Sequence, residues 1–476
     1  MIRRRFFPTV LTLLACLALL TGLLPQRAAQ AAEPQPKTPI KHFIVLMQEN
    51  HTFDNYFGTY PGADGIPQGL CMPVNPADPA GECIEPFHIG NRPIEDLDHS
   101  TATALNQYND GKMDGFVWAL RLRNQEGSLA MGYYDGRDLP YYWNLVDEYV
   151  LFDRFFSSAM GGSVWNHMYW VAAQPGSEKN RIPPEGYGDD VVTIFDRLEE
   201  RGISWKFYIQ NYDPTITFRT MDQGGQRAAQ VVWCPLLNFP RFIDNPDLFS
   251  HIVPLDEYFT DLENGTLPSV AYIVPSGASE HPPGSIRAGQ RFVKSLIQAL
   301  MRSDAWQSSA FMVTYDDWGG WYDHVPPPKV DDYGYGFRVP AFLVSPYAKR
   351  GYIDHTELDF TSILKFIEEN WGLEPLAERD ARANSIINAF DFSQPPRPPV
   401  FIPEERAISE ERPSPRRGVI YTAYGMGLVL AGSVIGWAAL DSRRPRRTDA
   451  IYPLRRLTRR RRRVMPKGSG GGASNR

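Results

Sequence analysis

Cysteine is scarce here: the chain has four in 476 residues. No two have the spacing of a structural zinc site, so a cysteine-held metal fold is excluded. Cys71 and Cys83 share one loop rich in proline and glycine. Outside the cytoplasm such a pair is able to close a disulfide, but the sequence leaves that bridge open. Cys16 falls in an apolar run and Cys234 is left over. Internal repeats are absent, which argues against a solenoid or propeller. A net positive charge is missing from the body: the formal net charge of the chain is -6 although residues 443–476 are strongly basic, so the body is more acidic than the total. An acidic body argues against general nucleic-acid binding, and no nucleic-acid partner is expected.

Long apolar runs are missing too, except near the two ends. Arg3, Arg4 and Arg5 precede the run Val10 to Leu24, and Ala29-Gln30-Ala31 offers a small-x-small cleavage site. Residues 1–32 therefore read as an export signal, with a flavour of the twin-arginine type. Gly418 to Leu440 carries no charge, and at about 1.5 Å per residue it spans a hydrocarbon core of ~30 Å. Arginines crowd behind it, from Arg443 to Arg463, as on a cytoplasmic flank. The expected topology is a single-pass bacterial cell-membrane protein. Its body lies outside, residues 393–417 form a proline-rich stalk, 418–440 a transmembrane helix, and 441–476 a basic tail against anionic lipid.

Between these ends lies the body, residues 40–392. Hydrophobic residues make up 43% and charged residues 22%, the balance of an ordinary globular core. Short apolar runs at Phe43 to Met47, Ile203 to Ile209, Val270 to Val274, Phe311 to Tyr315 and Ala341 to Val344 read as strands covered on both faces. Helical patterns alternate with them: Val191 to Arg201 opening at Asp189/Asp190, Ile286 to Arg302, and Leu358 to Asn370. The alternation predicts an α/β fold with a largely parallel sheet, whose ligands bind beyond the carboxyl ends of the strands.

Polar residues stand at two such ends. The first strand is followed by Gln48, Glu49, Asn50 and His51; another is followed by Asp316 and Asp317. Three carboxylates brought together repel strongly unless a cation sits among them, and the amide oxygen of Asn50 would converge with them. Such oxygen ligands suit Ca²⁺, Mg²⁺ or Mn²⁺. Gly161-Gly162-Ser163 leads into an apolar helical run from Met168 to Ala173. Ser163 would then sit near a helix N-terminus, where backbone N–H groups favour an anion such as phosphate. A plain serine N-cap is the bland alternative. His99 and His281 lie in polar loops suited to holding phosphoryl oxygens or protonating a leaving group. His42, His51 and His167 sit among apolar neighbours and read as structural.

The blocks have a familiar pattern. Gln48-Glu49-Asn50-His51-Thr52-Phe53-Asp54-Asn55-Tyr56-Phe57-Gly58, Asp98-His99-Ser100 with Gly111 to Gly115, and Gly162-Ser163 with Asn166-His167 come first. Ser279-Glu280-His281-Pro282-Pro283 and Thr314 to Pro327 follow. In this order they resemble the bacterial phosphoesterase family, which includes non-haemolytic phospholipases C and a class of acid phosphatases. The resemblance spans residues 41–372.

It implies an alkaline-phosphatase-like three-layer α/β sandwich and hydrolysis of phosphate esters. Glu49, Asn50, Asp316 and Asp317 would hold one divalent cation (Ca²⁺, Mg²⁺, Mn²⁺ or Zn²⁺). Ser163 would be the nucleophile, with His99 and His281 assisting. Asn166, His324 and Lys112, which stand in the same blocks, are expected to contact the substrate, phospholipid headgroups included. Trp165 stands where the family usually has proline, and no histidine lies between His167 and His251. A sulfatase or phosphonate hydrolase of related fold, or an inactive membrane-tethered binding protein, are the other readings.

Overall fold

The computed structural model describes residues 34–406, with residues 426, 430–433, 435 and 437 beyond them. The chain divides into two compact units at Ile408/Ser409. The expected signal, the stalk from 407, most of the 418–440 run and the basic tail lie outside the described residues. Met426, Leu430, Ile435 and Trp437 are helical and exposed. Among the described residues no helix is long and apolar enough to cross a membrane.

One eight-stranded sheet organises the body. Its strands are β1 His42–Gln48, β2 Val150–Phe152, β3 Trp205–Ile209, β4 Ile252–Pro254, β5 Val270–Val274, β6 Ser309–Tyr315, β7 Ala341–Val344 and β8 Tyr352–Asp354. The spatial order is β8-β2-β7-β6-β1-β5-β3-β4. All neighbours pair in parallel except β7, which runs antiparallel to both β6 and β2. The central strands β1, β5 and β6 are buried along nearly their whole length. Burial on both faces is what turns their sequences into continuous apolar runs. β2, β4 and β8 were not legible, because three residues are too few to show a period.

Helices cover both faces. α1 Phe53–Phe57 follows the first strand, and α2 Thr101–Tyr108 and α3 Pro140–Glu148 come next. α4 Ser163–Ala172, α5 Ile194–Arg201, α6 Ile286–Arg302 and α7 Phe360–Trp371 complete the set used below. On one face α4, α5 and α7 pack together, with Trp170 stacked on Tyr272 of β5 at 4.3 Å and Phe366 against Phe43 of β1 at 4.9 Å. On the other, α3 lies against α6, and Tyr142 meets Phe342 of β7 at 5.2 Å. This is the expected three-layer α/β sandwich.

α5 starts later than expected. Thr193 caps it reciprocally: Asp196 N donates to the Thr193 hydroxyl at 3.3 Å, and Thr193 N donates to Asp196 Oδ2 at 2.7 Å. A threonine–aspartate pair three apart therefore outcompetes Asp189/Asp190 as the helix start.

The proline-rich stretch is no free stalk over its described part. Trp306 Nε1 donates to the Arg397 carbonyl at 3.0 Å, Lys294 pairs with Glu404 at 2.7 Å, and Arg406 pairs with Asp147 at 2.5 Å. Residues 397–406 thus run along the body as a strap. Cys71 and Cys83 form a disulfide with Cα atoms 5.4 Å apart, and Cys234 is buried and free.

Candidate active site

The register of β1 against β6 builds the site. Gln48 pairs with Tyr315, so the next residues, Glu49 and Asp316, emerge side by side from the sheet edge. Asn50 adopts a left-handed backbone at φ 66° and donates its N–H to Asp316 Oδ1 at 3.2 Å. Such strain in a non-glycine residue is tolerated where the surroundings hold it, as at functional sites. Gly319 passes so close that a Cβ there would lie 2.4 Å from the Asn50 carbonyl oxygen. Only glycine fits this crossing.

α4 brings the serine. Gly162 is its N-cap and supplies no side-chain cap, so Ser163 is the first helical residue rather than a capping one. Its hydroxyl instead donates to Asp317 Oδ2 at 3.3 Å. Trp165 N donates to Asn180 Oδ1 at 2.8 Å. A cleft of ≈ 630 Å³ opens at Ser163, bordered by His99, Asp96, Arg123, Asn180 and Gly162.

The metal candidates are buried: Glu49, Asn50, Asp316 and Asp317 are at most 2% exposed. Among the described residues, Glu49 Oε1, Asn50 Oδ1 and Asp316 Oδ2 have no hydrogen-bond partner. Burial, then Asp316 and Asp317, push the Glu49 carboxyl well above the usual carboxylate range. Burial and then Asp316 push Asp317 up to about 8, against the opposing pull of His99. Two like charges ~4 Å apart repel by about 4 kcal/mol even at an effective dielectric of ~20. Orphaned oxygens converging under such repulsion fit a divalent cation, and Glu49, Asn50, Asp316 and Asp317 are the residues to hold it.

His99 and His281 come together as expected, with ring centroids 5.8 Å apart. One ligand atom each from Asp96, His99 and His281 lie within 4.8 Å of one another. His99 Nδ1 donates to the Leu97 carbonyl at 2.7 Å, and Asn50 Nδ2 donates to its Nε2 at 3.3 Å. Burial opposes charge on this ring, yet Asp317, the Leu97 carbonyl, Asp96 and Asp316 outweigh it and raise the His99 pKa. His281 Nδ1 donates to the Pro282 carbonyl at 2.9 Å, leaving Nε2 for other work.

Three expected substrate contacts are placed elsewhere. Asn166 Oδ1 accepts from Ala159 N at 2.9 Å and its Nδ2 donates to Gly161 O at 3.0 Å, so its amide is consumed in shaping the loop before Ser163. His324 sits between Asp54, 2.7 Å from Nδ1, and Asp64, 3.2 Å from Nε2. Fully buried Arg338 completes that network, 2.9 Å from Asp323 and 3.1 Å from Asp54. Lys112 is exposed past α2 and does not border the cleft. Each stands in a functional block, but the side chains of Asn166 and His324 are engaged in the fold and that of Lys112 is exposed away from the cleft.

Two residues passed over in the sequence matter here. Glu280 is fully buried and accepts from Tyr56 at 2.6 Å, Tyr142 at 2.6 Å and Tyr315 at 2.7 Å. It ties the His281 loop to α1, α3 and the end of β6. Burial, partly offset by these hydroxyls, raises its pKa to about 7. His167, read as structural, lies 3.7 Å from Asp316 Oδ2 through Nε2. Burial lowers its pKa to about 4, against Asp316 and the Trp233 backbone, so the ring is neutral. The signal for His167 was its spacing: four residues after Ser163, it shares that helix face.

Comparison with known proteins identifies the family. Residues 40–374 match the model of the phosphoesterase family. The chain is 29% identical to phospholipase C B of Mycobacterium tuberculosis, covering 84% of this chain and 87% of that one. It is 28% identical to non-specific phospholipase C1 of Arabidopsis thaliana, covering 75% and 72%. Among solved structures, a Vibrio parahaemolyticus protein of the alkaline phosphatase superfamily overlaps 74% of each chain at 13% identity with a TM-score of 0.36. With its match running from the first strand to beyond α7, the chain belongs to the phosphoesterase family and is a phosphoric ester hydrolase.

Proposed function

We propose that this protein cleaves phospholipid-type phosphodiesters through a phosphoserine formed on Ser163, with one divalent cation held by Glu49, Asn50, Asp316 and Asp317. The observation that carries the reading is the 3.3 Å approach of Ser163 Oγ to Asp317 Oδ2, beside buried ligand oxygens that lack partners. Relatives named as phospholipases C in a bacterium and a plant favour a lipid headgroup as the substrate.

When bound, the cation neutralises the carboxylate cluster and the charge gathering on the phosphoryl oxygens. Ser163 attacks phosphorus and gives its proton to Asp317 Oδ2, which it already faces. The N-terminal turn of α4, uncapped by Gly162, turns backbone N–H groups toward the phosphoryl group. His281, held through Nδ1, donates from Nε2 to the departing glycerol oxygen. His99, fixed through Nδ1 by the Leu97 carbonyl, carries a proton on Nε2 once it leaves Asn50 and holds a phosphoryl oxygen with it. Water then cleaves the phosphoserine: His281 recovers its proton from that water, and Asp317 returns its proton to the departing Ser163 oxygen.

The sequence of the ends adds a location to this proposal: an exported body, tethered by residues 418–440, working on the outer membrane face. The test is hydrolysis by the full-length protein of phosphatidylcholine vesicles against a soluble aryl phosphate monoester. Release of phosphocholine, lost in Ser163→Ala, supports the reading. Turnover of the monoester alone would replace the lipid by a soluble phosphomonoester.

A further inference from the structure

His167 is the buried group that the mechanism leaves unused. It is 1% exposed, and apart from the Trp233 backbone neither ring nitrogen finds a hydrogen-bond partner among the described residues. Trp170 lies edge-on to the ring at 5.9 Å. A ring needed only for packing would be phenylalanine, because an imidazole costs the desolvation of its polar nitrogens. Ligand atoms from His167, Glu49 and Asp316 all lie within 4.8 Å of one another. Glu49 Oε1 and Asp316 Oδ2 are themselves without partners. Three orphaned atoms from a helix and two strand ends converge on one point.

We infer that His167 is a nitrogen ligand of the same cation, which makes this a mixed imidazole–carboxylate site selective for a transition-metal ion of the Zn²⁺ class over Ca²⁺ or Mg²⁺. The inference rests on the metal reading above. Its physical basis is ligand softness: Ca²⁺ and Mg²⁺ take oxygen donors, whereas imidazole favours Zn²⁺ and its neighbours in the transition series. α4 makes the arrangement cheap to build. Ser163 and His167 lie one turn apart on the same face, so one rigid helix sets nucleophile and ligand together.

The experiment compares metal-stripped full-length wild type with His167→Phe, which keeps a ring against Trp170 and removes both nitrogens. Zn²⁺ and Ca²⁺ binding are measured by calorimetry, and the Mn²⁺ complexes by pulsed electron paramagnetic resonance. Wild type should bind one Zn²⁺ in preference to Ca²⁺ and show an imidazole nitrogen coupling. His167→Phe should lose the coupling and bind Zn²⁺ about 100-fold more weakly, with Ca²⁺ affinity nearly unchanged. Equal Zn²⁺ affinity in both proteins, with no nitrogen coupling in wild type, overturns the His167 assignment and leaves the metal reading standing. No stoichiometric uptake of any of the three ions by wild type overturns the metal reading itself. If His167→Phe does not fold, wild type decides: a nitrogen coupling that persists in the His99→Ala, His281→Ala double variant supports the assignment, and its absence ends it.

Discussion

Ser163 Oγ donates to Asp317 Oδ2 at 3.3 Å although the two residues are 154 positions apart in the chain. The sheet makes this contact. β6 delivers Asp317 at its carboxyl end, and β2, which also points its carboxyl end to this edge, feeds the loop that leads into α4. The proposed nucleophile and its proposed proton acceptor are thereby fixed by separate elements of one rigid core.

Replacing Ser163 by alanine should reduce phosphodiester turnover by about 10³-fold or more, because nothing else at the helix N-terminus is able to form the phosphoserine. Thermal unfolding should stay near wild type, since the hydroxyl makes a single long hydrogen bond. Rates within tenfold of wild type would remove Ser163 from the chemistry.

Chelation should abolish activity and also lower thermal stability. A cation present at 100 times its dissociation constant stabilises the fold by about 2.7 kcal/mol. Differential scanning calorimetry with and without chelator reads the change. An unchanged midpoint together with undiminished activity would show that the carboxylate cluster holds no ion.

Glu280 predicts a pH dependence with a definite sign. Its folded pKa of about 7 lies above the ordinary 4.5, so the folded state retains the proton more strongly. The stabilising contribution is full below about pH 4.5 and is lost as pH rises through about 7, to a total of about 3 kcal/mol. Glu280→Gln should remove this part of the slope. Urea unfolding at pH 5 and pH 8 should show wild type losing more stability than the variant; identical losses would contradict the assignment.

Arg338 is fully buried between Asp54 and Asp323. Arg338→Met leaves two buried carboxylates facing each other and should cost about 3–5 kcal/mol. Adding Asp54→Asn and Asp323→Asn should recover part of that loss. A single variant as stable as wild type in urea would mean the network contributes little.

Much of this was legible in the residues. The apolar runs at β1, β3, β5, β6 and β7 named themselves, and so did α6. Glu49, Asn50, Asp316, Asp317, Ser163, His99 and His281 were picked from strand ends, a glycine turn and polar loops, and the fold brings all of them to one edge. The errors have a common cause. Asn166, His324 and Lys112 stand in the right blocks, but a block records only nearness in sequence. Which way a side chain turns depends on what packs against it: Ala159 and Gly161 for Asn166, the Asp54–Arg338 network for His324. The nearness of His167 to Glu49 and Asp316 was hidden for the converse reason, since apolar neighbours along a helix do not reveal which face meets those carboxylates.

The sequence by itself determined the alternation of strands and helices and the kinds of group available for chemistry, because burial imposes a period and chemistry demands particular side chains. The tertiary structure alone decided which groups meet. Register sets Glu49 beside Asp316, three tyrosines from separate elements close on Glu280, and one helix turn aims His167 at the carboxylates. Such meetings are long-range, and no local pattern encodes a distance between residues that are far apart in the chain.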